Sequence, residues 1–174
     1  MSTVSRRSFV SLAAVAVVAV PAARALSGAQ TGKAGVPGKF EVSLTEAQWR
    51  AKLSPAAFMV LREEDTERPF TSPLNNEHRR GTFACAGCAL PAFASTTKFD
   101  SGTGWPSFYA PLANSVRTRD DGSLGMVRTE VHCRRCGGHL GHVFTDGPKP
   151  TGLRYCMNGV ALTFAPATAR GVAA

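Results

Sequence analysis

Two textures follow one another along this chain of 174 residues, and the change falls near Gly81. Before it, apolar residues recur at helical spacing behind recognisable start signals. Ser43-Leu44-Thr45-Glu46 reads as a capping box, in which the serine side chain accepts from the third amide and the glutamate reaches back. A short helix through Leu53 is predicted, with Leu44, Ala47 and Ala51 inward. Ser54-Pro55 repeats the signal, serine at the cap and proline in the first turn. The second helix should run to about Arg62 with Phe58 and Leu61 on one face, and Glu63 to Asn76, broken by Pro69 and Pro73, reads as loop. From Gly81 the apolar segments become short, β-branched and aromatic, and are punctuated by Gly, Pro, Asn and Asp. Thr82–Ala84, Met126–Val131, His142–Phe144 and Val160–Phe164 are strand candidates. Asp121-Gly122 signals a hairpin between Val116–Thr118 and Leu124–Arg128. The predicted class is mainly β: an antiparallel domain with two small helices at its N-terminal edge.

The flanks differ from this body. Arg6-Arg7 precedes an apolar run from Leu12 to Val20 and an Ala23-Arg24-Ala25 site. That order matches a twin-arginine export signal over residues 1–25. The apolar run is shorter than the roughly 20 residues of a membrane-spanning helix. An exported, periplasmic protein is expected, carried folded across the membrane; an uncleaved amphipathic start is the alternative. Residues 26–39, small and polar, read as a linker, 40–166 as the domain and 167–174 as a tail. Ten phenylalanines and two tryptophans suffice for a core. The net charge is +8, of which three positive charges belong to the leader, leaving +5. The remaining bases are interspersed with acids and lack interleaved aromatics, so nucleic acid is not an expected partner. A monomer is the default.

The five cysteines change the picture most. Cys85/Cys88 and Cys133/Cys136 are both C-x-x-C pairs with glycine in or just after the turn. Two such pairs suit a closed tetrahedral zinc site, which staples a fold and leaves no open position for chemistry. Disulfides or a redox C-x-x-C are the competing readings. Cys156 is left without a partner, between Arg154 and Asn158. A lone cysteine beside a cation is a candidate nucleophile, because a guanidinium favours the thiolate. His139 and His142 lie between the second pair and Cys156. Residues three apart point to opposite faces of a regular strand and converge only on a turn, so spacing alone leaves open whether both reach one pocket. Arg154 is equally consistent with a surface cation. Trp105, bracketed by Gly104 and Pro106, is either a core residue or the wall of a small pocket.

Arg154-Tyr155-Cys156-Met157-Asn158, His139-Leu140-Gly141-His142-Val143-Phe144, Gly104-Trp105-Pro106-Ser107-Phe108, Thr66-Glu67-Arg68-Pro69-Phe70 and both C-x-x-C pairs together resemble methionine sulfoxide reductase type B, from about Leu44 to Phe164. The resemblance implies two antiparallel sheets in a tent-like arrangement, with zinc on the side away from the active site. It implies reduction of protein-bound methionine-R-sulfoxide, a repair reaction on the sulfur oxidation ladder. Cys156 would attack the sulfoxide sulfur, and His142, helped by His139, would protonate the departing oxygen. Asn158 would hold the substrate or the histidine, Arg154 would favour the thiolate, and Trp105 and Phe144 would bind the substrate. Many such proteins carry a second cysteine where this chain has Thr103. Its absence implies that the Cys156 sulfenic acid is reduced by an external thiol, thioredoxin-like or other. The contrasting expectation is a non-catalytic zinc-stapled β module that binds a peptide or small ligand, for which Cys156 would be dispensable.

Overall fold

The computed structural model describes residues 40–168 except Met126. The predicted leader (1–25), the linker (26–39) and the tail from residue 169 lie outside the described residues. The described chain opens with α1 (Glu46–Lys52) and α2 (Pro55–Glu63). Strands β1 (Gly81–Cys85), β2 (Pro91–Ala94), β3 (Lys98–Phe99) and β4 (Ser107–Phe108) follow. Then come β5 (Val116–Asp121), β6 (Arg128–Cys133), β7 (His139–Phe144), β8 (Arg154–Met157) and β9 (Leu162–Pro166). They form two antiparallel sheets, one of order β2-β1-β9 and one of order β3-β4-β8-β7-β6-β5. The mainly β, two-sheet class predicted from the sequence is the one observed.

The first helix starts later than its sequence suggested. Its cap is Thr45, whose side chain accepts from the Gln48 amide, while the Gln48 side chain accepts from the Thr45 amide at 2.8 Å. Two capping frames overlap here, Ser43 with Glu46 and Thr45 with Gln48, and local chemistry barely separates them. In the observed helix Trp49 faces inward, 4% exposed, while Ala47 and Ala51 are exposed. α2 matches its prediction. Ser54 caps it, accepting from Ala57 N at 3.2 Å, and it buries Ala57, Phe58, Val60 and Leu61 against β7 and the turn at Gly159–Ala161. The loop after it contains one 3-10 turn, Pro73–Asn76.

An aromatic stack joins the sheets. Phe93 of β2 stacks on Phe108 of β4 at 4.4 Å, and Phe83 of β1 meets Phe108 edge-on at 5.0 Å. All three are fully buried, each contributing about 2–3 kcal/mol of transfer free energy.

Several strand boundaries also differ from those expected; β7, for one, begins at His139 rather than His142. β6 begins at Arg128 rather than Met126. β9 begins at Leu162, because Gly159–Ala161 is a 3-10 turn. The hairpin is real, but Asp121 itself pairs with Arg128, so residues 122–127 form the connection. The Asp121 side chain accepts from Ser123 N at 2.9 Å, which turns the chain beyond the strand end instead of within a two-residue loop. β3 and β4 are two residues long, too short to carry an alternating pattern.

Candidate active site

The site depends on one extra residue in β7. Across the β6–β7 ladder, Glu130 pairs with His142 and Val131 with Gly141, but His132 pairs with His139. Leu140 is therefore a bulge, and it shifts the strand's parity by one. His139 and His142, three apart in sequence, end on the same face, with ring centroids 5.3 Å apart. This resolves the question that spacing left open. On the other side of β7, His142 is the cross-strand partner of Cys156, and Cys156 that of Ser107. Directly paired residues share a face, so Cys156 joins the histidines. Gly141 makes the approach possible: it has φ 156°, and a Cβ there would collide with the Cys156 carbonyl oxygen.

Cys156 lies half-buried in a cavity of about 110 Å³, with Thr66, Trp105 and Phe144 as walls and His142, Arg128 and Asn158 beside it. The wall is built by Glu67. Its carbonyl accepts from Trp105 Nε1 at 3.0 Å and its amide donates to Asn158 Oδ1 at 3.0 Å. Its carboxylate accepts from Gly159 N, and from Val160 N at 3.0 Å, capping the 3-10 turn that follows β8. Trp105 is thus a pocket wall rather than a core residue. Asn158 is 3% exposed and donates through Nδ2 to the Leu140 carbonyl at 3.2 Å. Among the described residues its side-chain hydrogen bonds go to the wall and the bulge, not to either histidine.

Each histidine has its own carboxylate. His142 Nε2 lies 2.7 Å from Asp121 Oδ2, which Arg128 Nη2 also approaches at 2.7 Å. Burial alone would raise the Asp121 pKa, but hydrogen bonds from Ser123 and His142 and the Arg128 charge hold it well below the usual carboxylate range. Burial pushes the His142 pKa down, against the Asp121 hydrogen bond. At neutral pH His142 is uncharged, donates through Nε2 to Asp121, and keeps Nδ1 as a proton acceptor. His139 Nδ1 lies 2.7 Å from Glu130 Oε1, and Arg119 bridges Glu130 to Glu64. Burial works against ionisation of Glu130, yet its bonds to His139 and Arg119 lower its pKa. His139 Nε2 is buried with no partner among the described residues.

Arg154 is held by a bidentate pair with Asp146, at 2.9 and 2.8 Å, and lies over the Phe144 ring at 4.3 Å. The Asp146 hydrogen bonds raise its pKa, against partial burial. Thr103 Oγ1 lies 3.7 Å from Cys156 Sγ. Sequence reasoning missed Asp121, Glu130, Arg128 and Glu67 as site residues. In the sequence Asp121 signals only a turn, and Glu67 stands only as part of a motif.

The other four cysteines gather on the turns after β1 and between β6 and β7. All four sulfurs lie within 4.8 Å of one another. Contacts run between the pairs, Cys85–Cys136 at 3.7 Å and Cys88–Cys133 at 3.5 Å. A tetrahedral metal with bonds of about 2.3 Å sets its ligand sulfurs about 3.8 Å apart, so this cluster has the donor set and size of a closed metal site. Gly87 and Gly138 approach these sulfurs closely.

A two-sheet β scaffold with four clustered cysteines, presenting a fifth beside two carboxylate-held histidines and an aromatic wall, is the setting of a candidate thiol active site. The family model described as the SelR domain matches residues 53–166. The chain is 58% identical over 123 residues to the peptide methionine sulfoxide reductase MsrB of Thiobacillus denitrificans, covering 70% of this chain and 93% of that protein. It is 57% identical over 128 residues to the protein of the same name from Pseudomonas putida strain W619, covering 72% and 96%. Against that of Agrobacterium fabrum it is 52% identical over 127 residues, covering 72% and 94%. The chain belongs to the SelR family, the type B methionine sulfoxide reductases.

Proposed function

We propose that this chain reduces methionine-R-sulfoxide in proteins to methionine, with Cys156 as the nucleophile. The observation that carries the reading is the convergence of Cys156 with the His142–Asp121 pair beside Trp105. His142 Nδ1 takes the thiol proton, and the imidazolium is stabilised by Asp121. The Cys156 thiolate attacks the sulfoxide sulfur while His142 returns the proton to the sulfoxide oxygen, which makes the sulfur electrophilic. The hydroxyl then passes from the substrate sulfur to the Cys156 sulfur as the substrate's S–O bond and the newly formed S–S bond break, leaving Cys156 as sulfenic acid and releasing methionine. Thiol plus sulfoxide gives sulfenic acid plus thioether, so no further proton is needed. Trp105 takes the substrate's S-methyl group against its ring. Phe144 lines the same cavity. Arg154 contributes a fixed positive field, and His139, held by Glu130, supports the pair. Asn158 fixes the wall.

Five cysteines with four in the metal cluster leave none to resolve the sulfenic acid within the chain. An external dithiol therefore reduces it, giving water and its own disulfide. The four-thiolate donor set favours zinc, which would close the fold and take no part in the redox step. The binding-module alternative is not favoured, since the similar proteins are named as reductases.

The test is turnover of R and S methionine sulfoxide separately, with dithiothreitol, by the protein and by Cys156→Ser. Turnover of R alone, lost in the variant, is expected. No turnover of either epimer by folded, metal-loaded protein would refute the reading. The Arg6-Arg7 leader supports export through the twin-arginine route. Replacing both arginines by lysine should retain the protein in the cytoplasm, and unchanged export would count against it.

A further inference from the structure

Cys156 has two polar flanks. One is His142. The other is a row of hydroxyls on the segment between β3 and β4 and on the first residue of β4, to which the mechanism above assigns nothing. Thr103 Oγ1 lies 3.7 Å from Cys156 Sγ and 2.8 Å from Ser101 Oγ. Ser101 Oγ lies 2.7 Å from Ser107 Oγ, and Ser107 Oγ lies 3.1 Å from the Trp105 carbonyl oxygen. Ser107 is fully buried, and Ser101 and Thr103 are partly buried. Gly102, with φ 68°, lets the chain fold back so that the hydroxyls of Ser101 and Thr103 meet. Asp100 Oδ1 accepts from the Gly102 amide at 2.9 Å and pins the turn.

Each hydroxyl has one proton to donate. The row can therefore run in only two senses. With Cys156 as thiol, its S–H donates to Thr103, Thr103 to Ser101, Ser101 to Ser107 and Ser107 to the Trp105 carbonyl. With Cys156 as thiolate, the row reverses: Ser107 donates to Ser101, Ser101 to Thr103 and Thr103 to the sulfur. No proton leaves any hydroxyl in the reversal. Each rotates about its C–O bond, and one bond is lost, that from Ser107 to the Trp105 carbonyl.

We infer that Thr103, backed by Ser101 and Ser107, is a reversible hydrogen-bond donor to the Cys156 sulfur that favours its ionised form. The thiol's own proton goes to His142, on the other flank. Thr103 touches the reacting atom, while Ser101 and Ser107 act through it as positioning residues. The arrangement also explains why these small hydroxyl side chains lie together under a pocket whose wall is tryptophan. The inference rests on Cys156 being the working thiol, but its test does not require turnover.

The experiment is the pH dependence of Cys156 alkylation by iodoacetamide, followed by mass spectrometry of the Cys156 peptide so that the clustered cysteines do not contribute. Thr103→Val keeps the shape and removes the donor. Its alkylation midpoint should rise by about one pH unit, a roughly tenfold loss of thiolate below the midpoint. Thr103→Ser should restore the wild-type midpoint, and Ser101→Ala should give a smaller rise. An unchanged midpoint in Thr103→Val overturns the inference, as does a Thr103→Ser variant as shifted as the valine. If the protein alkylates as expected but reduces no sulfoxide, the functional reading fails and the hydroxyl row stands.

Discussion

The protein keeps its cysteines in two settings that use sulfur in opposite ways. On the turns after β1 and between β6 and β7, four sulfurs crowd within 4.8 Å, and three of those cysteines are buried. Their neighbours are one another. On β8, Cys156 lies outside that cluster; it has a histidine from β7, a hydroxyl from the β3–β4 segment and an aromatic wall. The crowded set can do little but hold a metal, because four thiolates satisfy its coordination and leave no open position. The isolated one lies beside a histidine, a group able to take up a proton, and in a pocket that admits a small group. β7 links the two: it leaves the four-cysteine cluster after Gly138 and brings His142 opposite Cys156.

The sharpest way to break this contrast is to swap a serine into each setting. Cys156→Ser should lose more than about a thousandfold in kcat/KM while binding metal and melting like the wild type. Cys136→Ser should lose its metal and melt lower by more than about 10 °C, since binding energy there is folding energy. Metal analysis and calorimetry of both variants decide it. A Cys156→Ser protein that sheds metal, or a Cys136→Ser protein of full stability, would erase the distinction.

A smaller effect tests the proton partner. Asp121→Asn should lower kcat/KM roughly a hundredfold, because His142 loses the carboxylate that fixes its tautomer and supports its charge. Metal content should not change. Equal kcat/KM in steady-state assays would leave Asp121 a hairpin residue only.

The smallest effect is in pH. Burial depresses the His142 pKa, so the unfolded chain binds a proton near pH 6.5 that the folded one still refuses. Stability from this group is full above about pH 6.5 and falls as pH drops below it. Asp121 acts in a lower window: its folded pKa is depressed, so its contribution is full above about pH 4 and lost on further acidification. Urea midpoints at pH 7.5 and 6.0 should differ less in His142→Gln than in the wild type. An equal difference would assign the slope to another group.

Much of this was legible in the chain itself. The C-x-x-C pairs announce a shared metal because their spacing is a local constraint on a tight turn. The Ser54 cap acts over a few residues and needs no distant partner. Cys156 stands out as the remaining thiol. What a linear pattern cannot carry is parity across a bulge and the identity of remote partners. His139 and His142 share a face only because Leu140 adds one residue to β7, and that bulge is defined by its pairing with β6. Asp121 reaches His142, and Glu67 reaches Asn158, Trp105 and Gly159, across separations that only the closed sheets bring to hydrogen-bond distance. The choice of Thr45 over Ser43 as the first cap shows the same limit, since burial of Trp49 distinguishes two locally similar frames. Short-range chemistry marked the cysteines and the histidine pair as candidates. Long-range packing decided which way they face and what holds them, because direction and partnership are properties of the folded surface rather than of neighbours in the chain.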